Sequence, residues 1–240
     1  MWLNRPERRN SLDEVLVSAL NDAIDEAERD PWVKAVVLAG RGKSFCAGAD
    51  LATLLSYAEA GKSPIDFLAC VSAMFTRFER CPVPVVASLH GHAVAGGLEL
   101  ALAADVVIAA DSALIGDGHI RNELIPGGGS TLRLPRRVGE NNARWLLLTG
   151  ELVPASSPSL GSWLHSVVPE QRLEEATGRV VETLVSRTGA AQRRLKPLLA
   201  DIERRAVGEA LAMELDAFAE HWDGSAAAAH LSAFLGQGER

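Results

Sequence analysis

Short apolar runs alternate with longer amphipathic stretches through the first half of the chain, and amphipathic stretches dominate the second. Val15, Leu16, Leu20, Ala23, Ile24 and Ala27 recur at helical spacing and predict a helix over residues 13–28, capped by Asn10 or Ser11 and ended at Asp30-Pro31. The runs at residues 34–38, Val85–Leu89 and residues 106–109 predict buried strands. A helix is expected from Leu51, and another over Ile65–Arg80, stopped by Pro82 and Pro84. Residues 113–126 read as a strand and a loop. Further helices are predicted at 131–138, 142–148, 173–187, 190–205, 208–221 and 226–235, with a strand at Ser166–Val168 and no defined pattern at 159–164. Strands and helices alternating early, then helices alone, predict an α/β core with a helical C-terminal portion.

Composition narrows this picture. With 240 residues, 48% of them apolar, the chain can bury a sizeable core. A formal net charge of -7 argues against general affinity for nucleic acid or anionic membrane, both of which reward a basic surface. Cys46, Cys70 and Cys81 are odd in number and form no CxxC pair, so reduced thiols and a cytoplasmic location are expected. The polar N-terminus does not resemble a signal peptide. The longest apolar run, residues 98–108, is interrupted by Glu99 and Asp105, so no membrane span is expected.

Two small-residue turns carry the chemical signal: Phe45-Cys46-Ala47-Gly48-Ala49-Asp50 and Ala95-Gly96-Gly97-Leu98-Glu99-Leu100. Each follows a predicted strand and enters a helix, where the first N–H groups lack partners within the helix. Gly and Ala let a ligand approach that backbone closely. Two such turns facing one another would aim two fixed donors at one carbonyl oxygen, which suits an enolate or a tetrahedral anion. Glu99 lies among Leu98, Leu100, Ala101 and Leu102. Burial there should raise its pKa, as a general acid/base near neutral pH requires. His90 and His92 lack a third ligand and read as structural rather than metal-binding. Cys46 lacks a nearby base and reads as a small filler, and no GxGxxG follows the first strand.

In LNRPERRNSL (residues 3–12), GRGKSFCAGADL (40–51), PVVASLHGHAVAGGLELALAAD (84–105), IPGGGSTLRLPRRVG (125–139) and LLLTGE (146–151), the chain resembles the crotonases, the enoyl-CoA hydratase/isomerase superfamily. The resemblance runs in family order and spacing over residues 3–168. It implies a ClpP/crotonase-type spiral of β-β-α units over residues 1–185, with 186–240 forming a helical trimerisation region. A homotrimer or a dimer of trimers is therefore expected. The family's N-terminal strand pair is expected to be missing, because the sequence begins near its end. The N–H groups of Ala49 and Gly96 would form an oxyanion hole, with CoA lying near Arg8, Arg9, Ala47 and Leu51. CoA would enter as part of the substrate, with no separate cofactor and no metal.

Hydratases of this family use two glutamates. Glu99 stands at the first position and His119 at the second, with Asp117 and Glu123 nearby. His119 can exchange a proton near pH 7. Glu123 reads either as a displaced carboxylate or as a surface residue. Superfamily members that cleave β-diketones also place His at this loop position, but add an Asp where this chain has Gly128. The leading expectation is an enoyl-CoA hydratase or isomerase using Glu99 and His119. A retro-Claisen hydrolase or decarboxylase, and an acyl-CoA-binding subunit with little turnover, remain open.

Overall fold

The computed structural model describes residues 1–202, 205 and 207–224; the helix expected at 226–235 lies outside the described residues. In chain order the strands are β1 (Trp2–Leu3), β2 (Val36–Gly40), β3 (Val85–Leu89), β4 (His92–Val94), β5 (Val106–Ala110), β6 (Leu114–Gly116), β7 (Val153–Pro154) and β8 (Ser166–Val168). The helices are α1 (Glu14–Arg29), α2 (Leu51–Glu59), α3 (Ile65–Arg80), α4 (Gly96–Leu102), α5 (Ser130–Val138), α6 (Glu140–Thr149), α7 (Leu173–Val185), α8 (Gly189–Ile202) and α9 (Val207–Gly224).

β1, β2, β3, β5 and β8 form one sheet in that order, every pair parallel. β4, β6 and β7 form a second sheet, parallel between β4 and β6 and antiparallel between β6 and β7. A parallel strand covered on both faces must be apolar throughout, and β3 is buried at all five positions. The two sheets follow one another as the chain winds, with β3 passing to β4 and β5 to β6. The expected missing edge strand meets a two-residue β1 in register with Ala39 and Gly40.

Two details differ from the sequence-based expectation, and a third adds to it. α1 is capped by Asp13, whose carboxylate accepts from the Leu16 N–H at 2.8 Å. Asn10 is committed elsewhere, donating to the carbonyls of Arg41 and Ser44, and Ser11 donates to Asp50. Residues 92–94, where the pattern of apolar positions predicts no strand, form β4 because Leu114–Gly116 offers a parallel partner. Finally, α8 is fastened to the core by its own cations. Arg193 donates to the carbonyls of Asp30 and Val33, at 2.8 and 3.0 Å. Buried Lys196 donates to Phe78 and Val83 carbonyls, each at 3.0 Å, and pairs with Asp105 at 2.7 Å.

Candidate active site

The two small-residue turns are laced together by backbone. The Cys46 N–H donates to the His92 carbonyl at 2.9 Å, and the Val94 N–H donates to the Cys46 carbonyl at 3.0 Å. Around Ala49, the Leu12 N–H donates to Gly48 and the Asp50 N–H to Leu12, each at 2.8 Å. These bonds pin the peptides on either side of the Ala49 N–H. A Cβ on Gly96 would lie 3.3 Å from Gly48 Cα and 3.4 Å from the Ala49 nitrogen, so the two turns touch. Neither the Ala49 nor the Gly96 N–H has a protein acceptor among the described residues. Both residues line the cavity described below.

Asp50 steadies the first turn. Its carboxylate caps α2 through the Ala52 N–H at 3.0 Å and meets Ser11 and Arg5 at 3.2 and 3.1 Å. Burial pushes this carboxyl up, but Arg5, the Ala52 N–H and Ser11 outweigh it and hold the group below the usual carboxylate range. In the second turn Ala95 adopts φ 52, ψ -119, a region that favours glycine. An alanine at this position therefore carries backbone strain that a glycine would not.

Glu99 projects from the first turn of α4 and is 2% exposed. Its Oε1 accepts from the Gly128 and Ser130 N–H groups at 2.9 and 3.0 Å. Those N–H groups lie at the start of α5, where a helix presents unpaired donors. The turn is held in place by Arg133, which donates to the Gly128 carbonyl at 2.7 Å and binds Glu79 and Thr76. Burial pushes the Glu99 carboxyl above its ordinary range, against the pull of the Ser130 N–H and the His119 charge.

His119 opens a short 3-10 turn, His119–Asn122, after Gly118 at φ 65. Its Nδ1 lies 2.9 Å from Asp117 Oδ1. The Asp117 side chain is 1% exposed, and its Oδ2 has no partner among the described residues. Burial pulls the imidazole down, but the Asp117 hydrogen bond, the Asp117 charge and the Glu99 charge outweigh it, and His119 sits above the ordinary imidazole value.

One cavity of about 510 Å³ is lined by Ala49, Gly96, Glu99 and His119, together with Ala47 and Leu51. Its apolar wall comes from Leu54, Leu68 and Val71. Four of the sequence candidates stand outside it. Arg8 and Arg9 are exposed and do not line it, although the Arg9 carbonyl accepts from the Ala47 N–H at 3.0 Å at its margin. Asp117 lies behind His119. Glu123 is exposed, at φ 56, which fits the surface alternative. Cys46 is fully buried and its thiol is pushed up to about 12 by that burial, as befits a filler. His90 and His92 meet the Gly42 carbonyl and the Ser44 hydroxyl. Residue pattern alone does not mark Gly128, Ser130 and Arg133 for this role. The only sequence signal for them was the glycine run itself, since the donors are main-chain groups. Among the described residues no group of three or more His, Cys, Asp or Glu is placed to hold a metal ion, and no helix is long and apolar enough to cross a membrane.

A family model described as enoyl-CoA hydratase/isomerase matches residues 1–239. The crotonyl-CoA hydratase of Syntrophomonas wolfei is 32% identical over 221 residues, covering 91% of this chain and 84% of that protein. A crystal structure of an enoyl-CoA hydratase from Bacillus anthracis matches with a TM-score of 0.91 at 31% identity, covering 98% of this chain and 91% of that one. An enoyl-CoA hydratase structure from Mycobacterium smegmatis matches with a TM-score of 0.89 at 30% identity, over 98% and 91% of the two chains.

Proposed function

The chain belongs to the enoyl-CoA hydratase/isomerase family, and on that premise we propose that it adds water across the double bond of a 2-enoyl-CoA thioester, with Glu99 and His119 as its proton carriers. The observation that carries this reading is the convergence on one cavity of two unpaired N–H groups, a buried carboxylate and an imidazole held by a carboxylate. The Ala49 and Gly96 N–H groups would bind the thioester oxygen and hold the negative charge that develops on it. Glu99 is anchored through Oε1, which leaves Oε2 for water. Ionised Glu99 takes one water proton as the hydroxyl bonds to the β-carbon. Protonated His119 delivers a proton to the α-carbon. The Glu99 proton then passes to His119 and restores the pair, so the protons balance without a further reagent. CoA enters as part of the substrate, with Ala47 and Leu51 at the margin of the cavity.

The helical tail supports the proposal that the protein self-associates, as a trimer or dimer of trimers, and that residues 186–240 serve that assembly. Leu211, Leu215, Phe218 and Trp222 fall on one side of α9 at helical spacing and are all exposed. Light scattering tests this; a monomeric mass would refute it.

The activity is tested with crotonyl-CoA, following loss of the enoyl ultraviolet absorbance. Glu99→Gln keeps the size of the side chain and removes its basicity, so kcat should fall by about 10²–10⁴, the usual worth of a positioned acid or base. KM should change little. Unchanged turnover in that variant would overturn the assignment. Because ionised Glu99 and protonated His119 must coexist, kcat should rise with pH as Glu99 ionises and fall as His119 loses its proton, both above their ordinary values.

A further inference from the structure

We propose that the Asp117–His119 pair gives the cavity a second activity, hydrolysis of saturated acyl-CoA thioesters to the free acid and CoA. This rests on the same placement of the thioester oxygen as the hydration reading, but not on hydration itself.

Two N–H donors aimed at a carbonyl oxygen do not distinguish an enolate from a tetrahedral oxyanion, since either places negative charge on that oxygen. What selects hydrolysis is a base able to activate water near neutral pH. A saturated chain also offers no double bond, so the carbonyl carbon is its electrophile. The chain departs from the two-glutamate pattern at this point. His119 stands where a carboxylate is expected, and a buried carboxylate stands behind it, with Asp117 Oδ1 2.9 Å from Nδ1. That contact fixes Nδ1 as the protonated nitrogen in the neutral ring and leaves the Nε2 lone pair as the free basic site. A histidine oriented by a buried aspartate is the arrangement that general-base acyl transfer uses. The charged groups facing His119 are Asp117 on its own loop and Glu99 from α4. Cleavage of a carbon–carbon bond is the poorer fit. The extra carboxylate expected for it would occupy position 128, where any Cβ would lie 2.5 Å from both Glu99 Oε2 and Phe75 Cε2.

In the step itself, neutral His119 removes a proton from water as the water oxygen bonds to the carbonyl carbon, and the charge moves to the oxygen held by Ala49 and Gly96. The tetrahedral anion collapses, the carbon–sulfur bond breaks, and the proton on His119 passes to the departing thiolate. The carboxylic acid product ionises in water. The Asp117 side chain neither gives nor takes a proton in this step. No oxidant or reductant enters.

The probe is butyryl-CoA, with released thiol read by a disulfide dye in the full-length protein. Thiol release should exceed the uncatalysed rate and should fall by about 10²-fold or more in His119→Gln, given the usual worth of a positioned base. It should fall at least tenfold in Asp117→Asn, which keeps the side-chain shape but not its charge. Added imidazole should restore part of the rate to His119→Ala, which only a folded protein permits. The wild-type pH profile supplies a measurement free of substitutions: thiol release should rise with pH through the range where hydration of crotonyl-CoA falls, because hydrolysis needs neutral His119 and hydration needs it protonated. No thiol release by wild type, or equal release by His119→Gln, overturns the inference. If crotonyl-CoA is still hydrated in that case, the hydratase reading survives. If hydration is absent while thiol is released through His119, it is the hydratase reading that fails.

Discussion

Replacing Gly128 with alanine should disable the site with little change elsewhere. Gly128 lies outside the left-handed backbone region, so alanine brings no backbone strain there. What it brings is a methyl group 2.5 Å from Phe75 Cε2, 2.5 Å from Glu99 Oε2 and 2.8 Å from Glu99 Cδ. Phe75 is fully buried in the core and cannot swing away. Glu99 is tied by Oε1 to the N–H of the very residue that carries the new methyl. Relief must therefore come from moving the carboxylate or the turn. Overpacking of this kind costs about 1–3 kcal/mol. At ~2–4 °C per kcal/mol for a protein of this size, Tm should fall by about 2–12 °C. The larger effect is on activity. A misplacement of about 1 Å in a reacting group can cost about 10²-fold in rate, and that is the displacement a carboxylate needs to regain van der Waals distance. Calorimetry and crotonyl-CoA hydration should be measured on the same preparation. Tm within 2 °C and kcat within about twofold of wild type would show that the turn yields freely, and the account of Glu99 as a group held from one side would be wrong.

Ala95→Gly should raise Tm, because it removes strain of about 1–3 kcal/mol at φ 52 while adding only about 0.4–1 kcal/mol of unfolded-chain entropy; a lower Tm would refute the strain argument. Lys196→Met leaves Asp105 and the Phe78 and Val83 carbonyls without their cation. Breaking a buried pair costs about 3–5 kcal/mol, and Asp105 is partly exposed, so the low end of that range applies. A drop of about 6–12 °C in Tm is expected by calorimetry, with kcat unaltered well below the transition, and no drop would show that α8 is not anchored there. Glu99 and His119 both have raised folded-state pKa values, so each contributes stability that is full below its unfolded pKa and lost as pH rises towards its folded pKa. Tm should therefore decline as pH rises past the ordinary values of the two groups, and the His119 part begins above its unfolded value of about 6.5; His119→Gln should make the decline shallower there, and a profile parallel to wild type would refute the assignment.

The sequence was most legible where burial alone decides the pattern. Ile65–Arg80, Val85–Leu89 and Ser166–Val168 were expected at the bounds observed, because one apolar face or a short apolar run leaves little choice. Glu99 stood out because a carboxylate inside an apolar helix is costly without a use. Other features escaped because their causes are distant in sequence. Asn10 has the residue type of a cap, but its side chain reaches carbonyls 31 and 34 residues away, and Asp13 takes the cap instead. β4 is three residues long and exists through its pairing with β6. The groups that hold Glu99 are main-chain donors 29 and 31 residues further on, which leave no mark on residue type beyond the glycine run. Arg8 and Arg9 came from family likeness, and in this chain the cavity wall passes them by.

Glu99 and His119, the two proposed proton carriers, are held by opposite means, and this ties positions 117, 119 and 128 into one chemical choice. Glu99 is gripped by neutral dipoles, two N–H groups at a helix start, which favour its ionised form without adding a charge. His119 is gripped by a full negative charge that is itself cut off from solvent. A carboxylate at position 119 would stand against buried Asp117, and two like charges at that distance force one of them to stay protonated. The histidine and the buried aspartate therefore belong together, and a glutamate in place of one requires replacement of the other. A second acid at 128 is closed off separately, by Phe75 and by Glu99 itself. What remains in the cavity is one buried carboxylate opposite one imidazole whose charge depends on pH. In the two proposed reactions that pair would hand a proton to carbon in one state and withdraw one from water in the other.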